Sequence, residues 1–201
     1  MEQISEQHLL DFKNKGYLVL KQVLEPSLQE VFERYVYMQR FNNHYLDDSE
    51  THSKWCYADT FGESILVQLQ PLMEKISGVK LFPTNSVLRI YQEGGILRKH
   101  IDRDTCEYSV TLTVGYEAAE LYPIWVRSNK KDIPVYLDRG DILIYKGCEV
   151  PHWREEFTGR SWAQLFLHYV DVNGKNAQHK FDGRLSVGMN NGKILAGEQV
   201  K

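Results

Sequence analysis

The sequence predicts a mainly β fold with helices packed against its N-terminal side. Apolar residues recur at intervals of three and four in the first 78 residues, which is typical of helices. From residue 85 the pattern changes to short segments rich in Val, Ile, Leu, Thr and Tyr, separated by Gly, Asp, Asn or Pro. Helices followed by strands indicate helices outside a sheet sandwich or barrel.

The helical part covers residues 3–78. A first helix is predicted over residues 3–14, and Gly16 ends it before a short strand at 17–20. Pro26 is placed to start a second helix, which runs to about residue 41. A third helix ends near Gly78. Residues 42–59, between the second and third helices, are polar and are predicted to form a long loop, a type that is usually functional or disordered.

The β part covers residues 85–171. At least six strands are predicted, at 86–91, 108–116, 121–126, 133–137, 141–145 and 160–170. Residues 172–201 are polar and rich in Gly and Asn, with Phe181 the best candidate for an anchored side chain. We therefore expect one domain over residues 1–171 and an extension over 172–201.

Composition excludes several classes of protein. The chain has 201 residues, 42% hydrophobic and 25% charged, which is ordinary for a globular protein. Its net charge of −3 makes a nucleic-acid partner unlikely and favours a small molecule or a peptide. Three distant cysteines and an acidic N-terminus argue against a disulfide framework and a signal peptide, and no apolar run is long enough for a membrane span. A cytoplasmic protein is the expectation, and its oligomeric state stays open.

His100 and Asp102 are the first candidate metal ligands. On an extended strand, residues two apart point to one face, so an imidazole and a carboxylate could reach the same ion. The pair alone is a weak signal, because two solvated side chains in a surface loop have the same spacing. His152, which follows a short strand and a turn, completes two His and one carboxylate. This set is typical of non-haem Fe(II) oxygenases, and a zinc site could use the same ligands.

Arg160 lies eight residues after His152 at the start of a predicted strand. Strand alternation predicts that it faces the interior together with Trp162, Gln164 and Phe166. A buried guanidinium needs an anionic partner, and its geometry suits a carboxylate. The alternative is an ion pair with a protein acid such as Glu155 or Glu156.

The combined order of these residues resembles the Fe(II)/2-oxoglutarate-dependent dioxygenase superfamily. The order is Tyr91, Gly94, His100-x-Asp102, the segment EAAELYP, a Gly-Asp strand leading to His152, and a Gly-Arg strand. It is most similar to the prolyl-4-hydroxylase-like branch, although Ala118 and Ala119 replace two glycines of that branch. The N-terminal GYLVLKQVLEP is also similar to phytanoyl-hydroxylase-type chains. The resemblance covers about residues 9–171.

The resemblance implies a double-stranded β-helix, or jelly roll, in which His100, Asp102 and His152 bind Fe(II). It also implies O2 and 2-oxoglutarate as cosubstrates. The reaction implied is hydroxylation of a C–H bond coupled to decarboxylation of 2-oxoglutarate to succinate and CO2. The substrate implied is an amino-acid or peptidyl side chain, either free or protein-bound.

The resemblance further implies that Arg160 pairs with the distal carboxylate of 2-oxoglutarate, helped by the Tyr91 hydroxyl, while Phe166 lines the pocket. The eight-residue gap after His152 is shorter than the nine or ten usual in the family. No other Arg or Lys fits better, since Arg154 lies close to His152 on a predicted turn.

Three further residues are candidates for substrate binding. Arg89 shares strand alternation with Tyr91 and could contact the cosubstrate, an anionic substrate or a surface acid. Trp55 and Tyr57 could cover the substrate or fix the 42–59 loop to the core. Two rival functions use the same fold: a cupin-type metal hydrolase or isomerase without 2-oxoglutarate, and a non-catalytic binding module.

Overall fold

The computed structural model describes residues 4–189. Over this range the chain forms three α-helices, eleven strands and two short 3-10 segments. The helices are α1 (Glu6–Lys15), α2 (Pro26–Gln39) and α3 (Thr60–Ser77). The strands are β1 (Tyr17–Leu20), β2 (Leu46–Asp48), β3 (Ser53–Tyr57), β4 (Leu81–Gln92), β5 (Leu97–His100), β6 (Tyr108–Glu117), β7 (Ile124–Ser128), β8 (Lys131–Val135), β9 (Ile142–Lys146), β10 (His152–Arg154) and β11 (Ser161–Asp171). None of the helices in this range has the length and apolarity that a membrane crossing requires.

The strands form two antiparallel sheets. The larger sheet has the order β1-β9-β6-β11-β4-β3-β2 and the smaller one β5-β10-β7-β8. This two-sheet arrangement with N-terminal helices confirms the predicted double-stranded β-helix. The smaller sheet contains the two short strands β5 and β10, which the sequence pattern did not predict as strands.

Strand β11 lies in the middle of the larger sheet, and it shows why the strands of this sheet have few polar residues. Ala163, Leu165 and Leu167 belong to the main core cluster, together with Leu66 and Met73 of α3. The alternate residues of β11 point to the opposite face, toward the smaller sheet. Because helices cover one face of the sheet and the second sheet covers the other, both sets are buried.

The polar segment 42–59 was wrongly predicted to be a loop. It forms a hairpin, β2 and β3, whose second strand pairs with β4. Trp55 lies opposite Arg89 and Tyr57 opposite Val87. The strands have only three and five residues and lie at the sheet edge, so their polar composition does not reveal them.

The C-terminal segment is held by Arg184 rather than by Phe181, which is only half-buried. The Arg184 guanidinium donates to a Glu63 carboxylate oxygen at 2.6 Å and to the Thr84 carbonyl at 2.7 Å. Both side chains of the ion pair are almost completely buried, with 2% and 1% exposed. The part of the predicted extension from residue 190 onward lies outside the described residues.

Candidate metal centre

His100, Asp102 and His152 meet where the two short strands pair. His100 ends β5 and lies directly opposite His152, the first residue of β10. Their potential ligand atoms all lie within 4.8 Å of one another. Asp102 Oδ1 is 3.5 Å from His100 Nε2 and 3.4 Å from His152 Nε2. Two ligands at right angles around one ion lie about 3 Å apart, so small movements would bring these three atoms onto a metal.

The backbone fixes which nitrogen of each imidazole faces this point. His100 Nδ1 is 2.7 Å from the Arg98 carbonyl, and His152 Nδ1 is 3.0 Å from the Val150 carbonyl. A carbonyl only accepts, so each Nδ1 carries a proton, and Nε2 is the nitrogen left to bind a metal or, when the ring is charged in the metal-free protein, to donate to Asp102. Metal-bound histidines are held in this way.

Asp102 is held from the side opposite the histidines. Ser109 donates to its Oδ2 at 2.9 Å, and the Asp102 amide donates to the Gly147 carbonyl at 2.9 Å. A side chain at position 147 would collide with this carboxylate and with Ser109 Oγ, so only glycine fits there. Burial opposes ionisation of Asp102, but hydrogen bonds with His100 and His152 outweigh it and hold its pKa well below the usual range.

His168 supports this carboxylate through Ser109. Its Nδ1 is 3.0 Å from Ser109 Oγ. Burial lowers the pKa of His168 to about 4, so the ring is neutral and can donate from Nδ1 while Ser109 donates to Asp102. A second cluster, Asp102, Cys106 and His168, is also compact. Burial raises the pKa of the Cys106 thiol to about 12, so it is protonated in the metal-free protein. The first cluster offers two imidazoles and a carboxylate, the donor set that non-haem iron prefers, and is the better site for that ion.

Substitution His168→Asn should make the metal-free protein less sensitive to acid. The folded-state pKa of His168, about 4, lies below the ordinary value of 6.5. The unfolded chain therefore binds a proton that the folded protein rejects, and stability falls as the pH drops from 6.5 toward 4. Urea unfolding measured between pH 6.5 and 4 gives the free energy of unfolding at each pH. This free energy should fall with pH more steeply in the wild type than in His168→Asn, by up to about 1.4 kcal/mol per pH unit. The control is His44→Asn at an exposed site, and equal slopes for His168→Asn and wild type would contradict the prediction.

The expectation that Arg160 faces the interior is wrong. Its side chain is 81% exposed and pairs with Glu117 at 3.0 Å. Arg160 lies one residue before β11 begins, at the rim of the sheet, so strand alternation does not turn it inward. Trp162, ten residues after His152, is the completely buried residue at this end of the strand. Phe166 lies further along β11, opposite Val87 and Thr111, and is half-buried.

Arg154 is the buried guanidinium instead. It follows His152 by two residues on β10, with both side chains buried and Trp153 half-exposed between them. Its Nη1 donates to the Tyr122 carbonyl at 2.6 Å. Within residues 4–189, its Nε and Nη2 have no hydrogen-bond partner and no carboxylate lies within ion-pair distance. The prediction that Arg154 lies on a turn is wrong, and its spacing of two from His152 matches that of His100 and Asp102.

Tyr91 lies beside this unpaired charge. Its ring centroid is 5.8 Å from Arg154 Cζ, and its buried hydroxyl also lacks a partner among the described residues. Tyr91, Tyr122, Phe157 and Trp162 form one buried aromatic cluster around it. These three buried donors have no acceptor among the described residues and are surrounded by aromatic rings. They destabilise the folded protein unless an anion binds there, since buried polar groups normally have hydrogen-bond partners.

A cavity of about 520 Å³ lies beside the candidate metal centre. Trp55, Tyr57 and Arg89, the three residues predicted to bind substrate, all line it. His168 and Cys106 line its wall as well, which places the cavity next to Asp102. The structure thus brings the predicted substrate residues together, and their role in binding stays a prediction.

Comparison with known proteins identifies the fold. No protein-family model matches the sequence, and no curated protein matches it significantly. Among solved structures, a prolyl-4-hydroxylase from Pseudomonas putida matches with a TM-score of 0.70 and 14% identity, covering 82% of this chain and 97% of its own. The non-heme alpha ketoglutarate dependent epimerase SnoN from nogalamycin biosynthesis matches with a TM-score of 0.71 and 11% identity, covering 83% of each chain.

A third match is a prolyl hydroxylase from Trichoplax adhaerens, solved with a peptide fragment of hypoxia inducible factor. Its TM-score is 0.68 at 10% identity, covering 86% of this chain and 89% of its own. At such identities the likeness shows a shared fold. The chain therefore has the fold of the 2-oxoglutarate-dependent oxygenases.

Proposed function

We propose that this protein is an Fe(II)/2-oxoglutarate-dependent dioxygenase that hydroxylates a C–H bond. The observation that carries the proposal is the pairing of two features on β10. His152 belongs to a compact cluster of two His and one carboxylate, and Arg154, two residues on, is a buried cation without an anion. The shared fold with solved oxygenases supports the same class.

The three ligands fit Fe(II). Two imidazole nitrogens and one carboxylate oxygen on one side of an ion are the facial triad of non-haem iron oxygenases, which leaves positions open for cosubstrates. His100, Asp102 and His152 would hold the metal through Nε2, Oδ1 and Nε2, the atoms that already converge. Zinc could bind the same ligands, so the donor set alone does not decide the metal.

The buried donors fit 2-oxoglutarate. Arg154 offers the edge formed by Nε and Nη2, which can hold a carboxylate by two parallel hydrogen bonds. Tyr91 adds a hydroxyl beside it. We infer that these two residues take the distal carboxylate of 2-oxoglutarate, the role that the sequence resemblance assigned to Arg160 and Tyr91.

Bound iron and 2-oxoglutarate would supply the oxidising chemistry, with O2 as the second cosubstrate and succinate and CO2 as products. The protein supplies geometry. The two backbone carbonyls fix the imidazoles, Ser109 fixes the carboxylate, and the aromatic cluster excludes water from the charged end of the cosubstrate. Phe166 lies on the interior side of β11, where it would line the same pocket.

The substrate side is the cavity lined by Arg89, Trp55 and Tyr57. We propose an amino-acid or peptidyl side chain as the hydroxylated group. The matched structures include both prolyl hydroxylases and an epimerase, and one fold supports several reactions, so the substrate has to be argued from this cavity.

Anaerobic titration of the metal-free protein with Fe(II) and then 2-oxoglutarate tests the proposal. A weak visible charge-transfer band should appear only when both are present. Asp102→Ala should lose the band and weaken Fe(II) binding at least about tenfold, since loss of an outer-shell group alone costs as much. The matched control is Asp132→Ala, which removes a half-exposed surface carboxylate paired with Arg127.

Three results would contradict the proposal or its ligand assignment. Tight zinc binding with no band would favour a cupin-type hydrolase or isomerase. A band that survives in Asp102→Ala would mean that the ligands have been wrongly assigned. Absence of any metal binding would favour the non-catalytic binding module.

A further inference from the structure

Arg89, like Arg154, has a guanidinium edge without a hydrogen-bond partner among the described residues. Its Nη1 donates to Asp48 Oδ2 at 2.8 Å and to Ser53 Oγ at 2.7 Å, and it also contacts the Thr51 hydroxyl. Within residues 4–189, no protein group accepts from its Nε or Nη2. The edge formed by these two nitrogens is the one that binds a carboxylate side-on, and Arg89 lines the 520 Å³ cavity.

Asp48 positions this guanidinium. Its Oδ1 accepts from the backbone amides of Glu50 and Thr51 at 3.0 and 3.2 Å, so the carboxylate is fixed by its own turn. Burial opposes its ionisation, but the hydrogen bond from Arg89 outweighs this and lowers the pKa of Asp48. Arg89 is thus held by one of its nitrogens, which leaves the other two available in a fixed orientation.

The free edge of Arg89 belongs to a different site from that of Arg154. The Tyr91 ring centroid lies 5.9 Å from Arg89 Cζ and 5.8 Å from Arg154 Cζ, so the two guanidiniums flank one ring. Arg154 is completely buried, whereas the Arg89 side chain is 17% exposed and lines the open cavity. Arg89 already pairs with Asp48, and if Arg154 takes the carboxylate of 2-oxoglutarate, the free edge of Arg89 remains available to a second carboxylate in the cavity.

We propose that Arg89 binds the carboxylate of the substrate, and that the substrate is a free α-amino acid. This inference rests on the proposed function, because it assigns the cosubstrate to Arg154. The cavity has a volume in the range of small-molecule sites. Asp47 and Glu50 are exposed at its rim and would favour an ammonium group, while the Trp55 and Tyr57 rings offer apolar surface to a side chain.

Ligand-observed NMR with defined probes tests the assignment. The Zn(II) protein would be titrated with the twenty L-amino acids and with their carboxamides, with and without 2-oxoglutarate. At least one amino acid should bind, and its amide should bind about ten- to a hundredfold more weakly, as expected for loss of charged hydrogen bonds. Arg89→Gln should weaken the acid by a similar factor and should leave the amide unchanged. Arg89→Lys should behave like Arg89→Gln, because lysine has no two-pronged edge.

Arg160→Gln is the matched control, since Arg160 is an exposed arginine outside the cavity. Equal binding of acid and amide, binding by no amino acid, or undiminished acid binding in Arg89→Gln would each overturn the inference. A loss of 2-oxoglutarate affinity in Arg89→Gln would assign Arg89 to the cosubstrate. If the Fe(II)/2-oxoglutarate band is absent but acid binding still depends on Arg89, the proposed function fails and the carboxylate site stands.

Discussion

Replacing Arg154 with Met is expected to abolish binding of 2-oxoglutarate and to leave metal binding intact. The substitution removes both nitrogens proposed to hold the distal carboxylate. Charged hydrogen bonds contribute about 1.5–3 kcal/mol each. The loss of two should therefore lower the affinity for 2-oxoglutarate by at least about a hundredfold. Calorimetric titration of the Zn(II) protein with 2-oxoglutarate measures this effect directly.

The same substitution should stabilise the ligand-free protein. Arg154 is buried with two unpartnered nitrogens, and burial lowers the pKa of its guanidinium. Methionine is unbranched like the aliphatic stem of arginine and carries no charge to desolvate. A gain in unfolding free energy together with lost cosubstrate binding would distinguish a binding residue from a structural one.

Tyr91→Phe should lower the affinity for 2-oxoglutarate about tenfold, since it removes one hydrogen bond. Loss of binding in Arg160→Gln with retention in Arg154→Met would contradict the assignment.

The second large effect concerns stability. Arg184→Met should lower the free energy of unfolding by about 3–5 kcal/mol, because it leaves the Glu63 carboxylate buried without its cation. Urea unfolding of the metal-free protein measures the loss.

The double variant Glu63→Leu with Arg184→Met is the matched control. Replacing both partners of a buried ion pair by apolar residues is often neutral, so most of the lost stability should return. If the double variant is as unstable as Arg184→Met, the loss would come from the hydrogen bonds of Arg184 to the Thr84 and Met189 carbonyls instead of the ion pair.

The metal cluster could be predicted from the sequence because its geometry is local. His100 and Asp102 are two residues apart, and only the pairing of β5 with β10 was needed to add His152. The proposed anchor for the cosubstrate could not be assigned with the same rule, since the assignment depended on where β11 begins. Arg160 lies one residue before that strand, whereas Arg154 continues the alternation of β10.

Contacts between segments that lie far apart along the chain could not be predicted from the sequence. Ser109 and His168 support Asp102 from β6 and β11, and neither has a local pattern that marks it. The same holds for Arg184, which reaches Glu63 across more than a hundred residues. The requirement for glycine at position 147 can be recognised only in the structure, because a side chain there would collide with Asp102.

Hydrogen bonds join the wall of the 520 Å³ cavity to the C-terminal segment. Asp182 accepts hydrogen bonds from Tyr57 and, at 3.2 Å, from Arg103, both of which line the cavity. Phe181 and Asp182 have φ angles of 55° and 54°, a left-handed conformation that costs non-glycine residues free energy. The hydrogen bond from Tyr57 to Asp182 closes a loop of 125 residues, and the two left-handed residues add backbone strain to the cost of closing it. This wall of the cavity therefore depends on a segment that belongs to neither sheet, so a change at residue 182 would alter the wall without touching a strand.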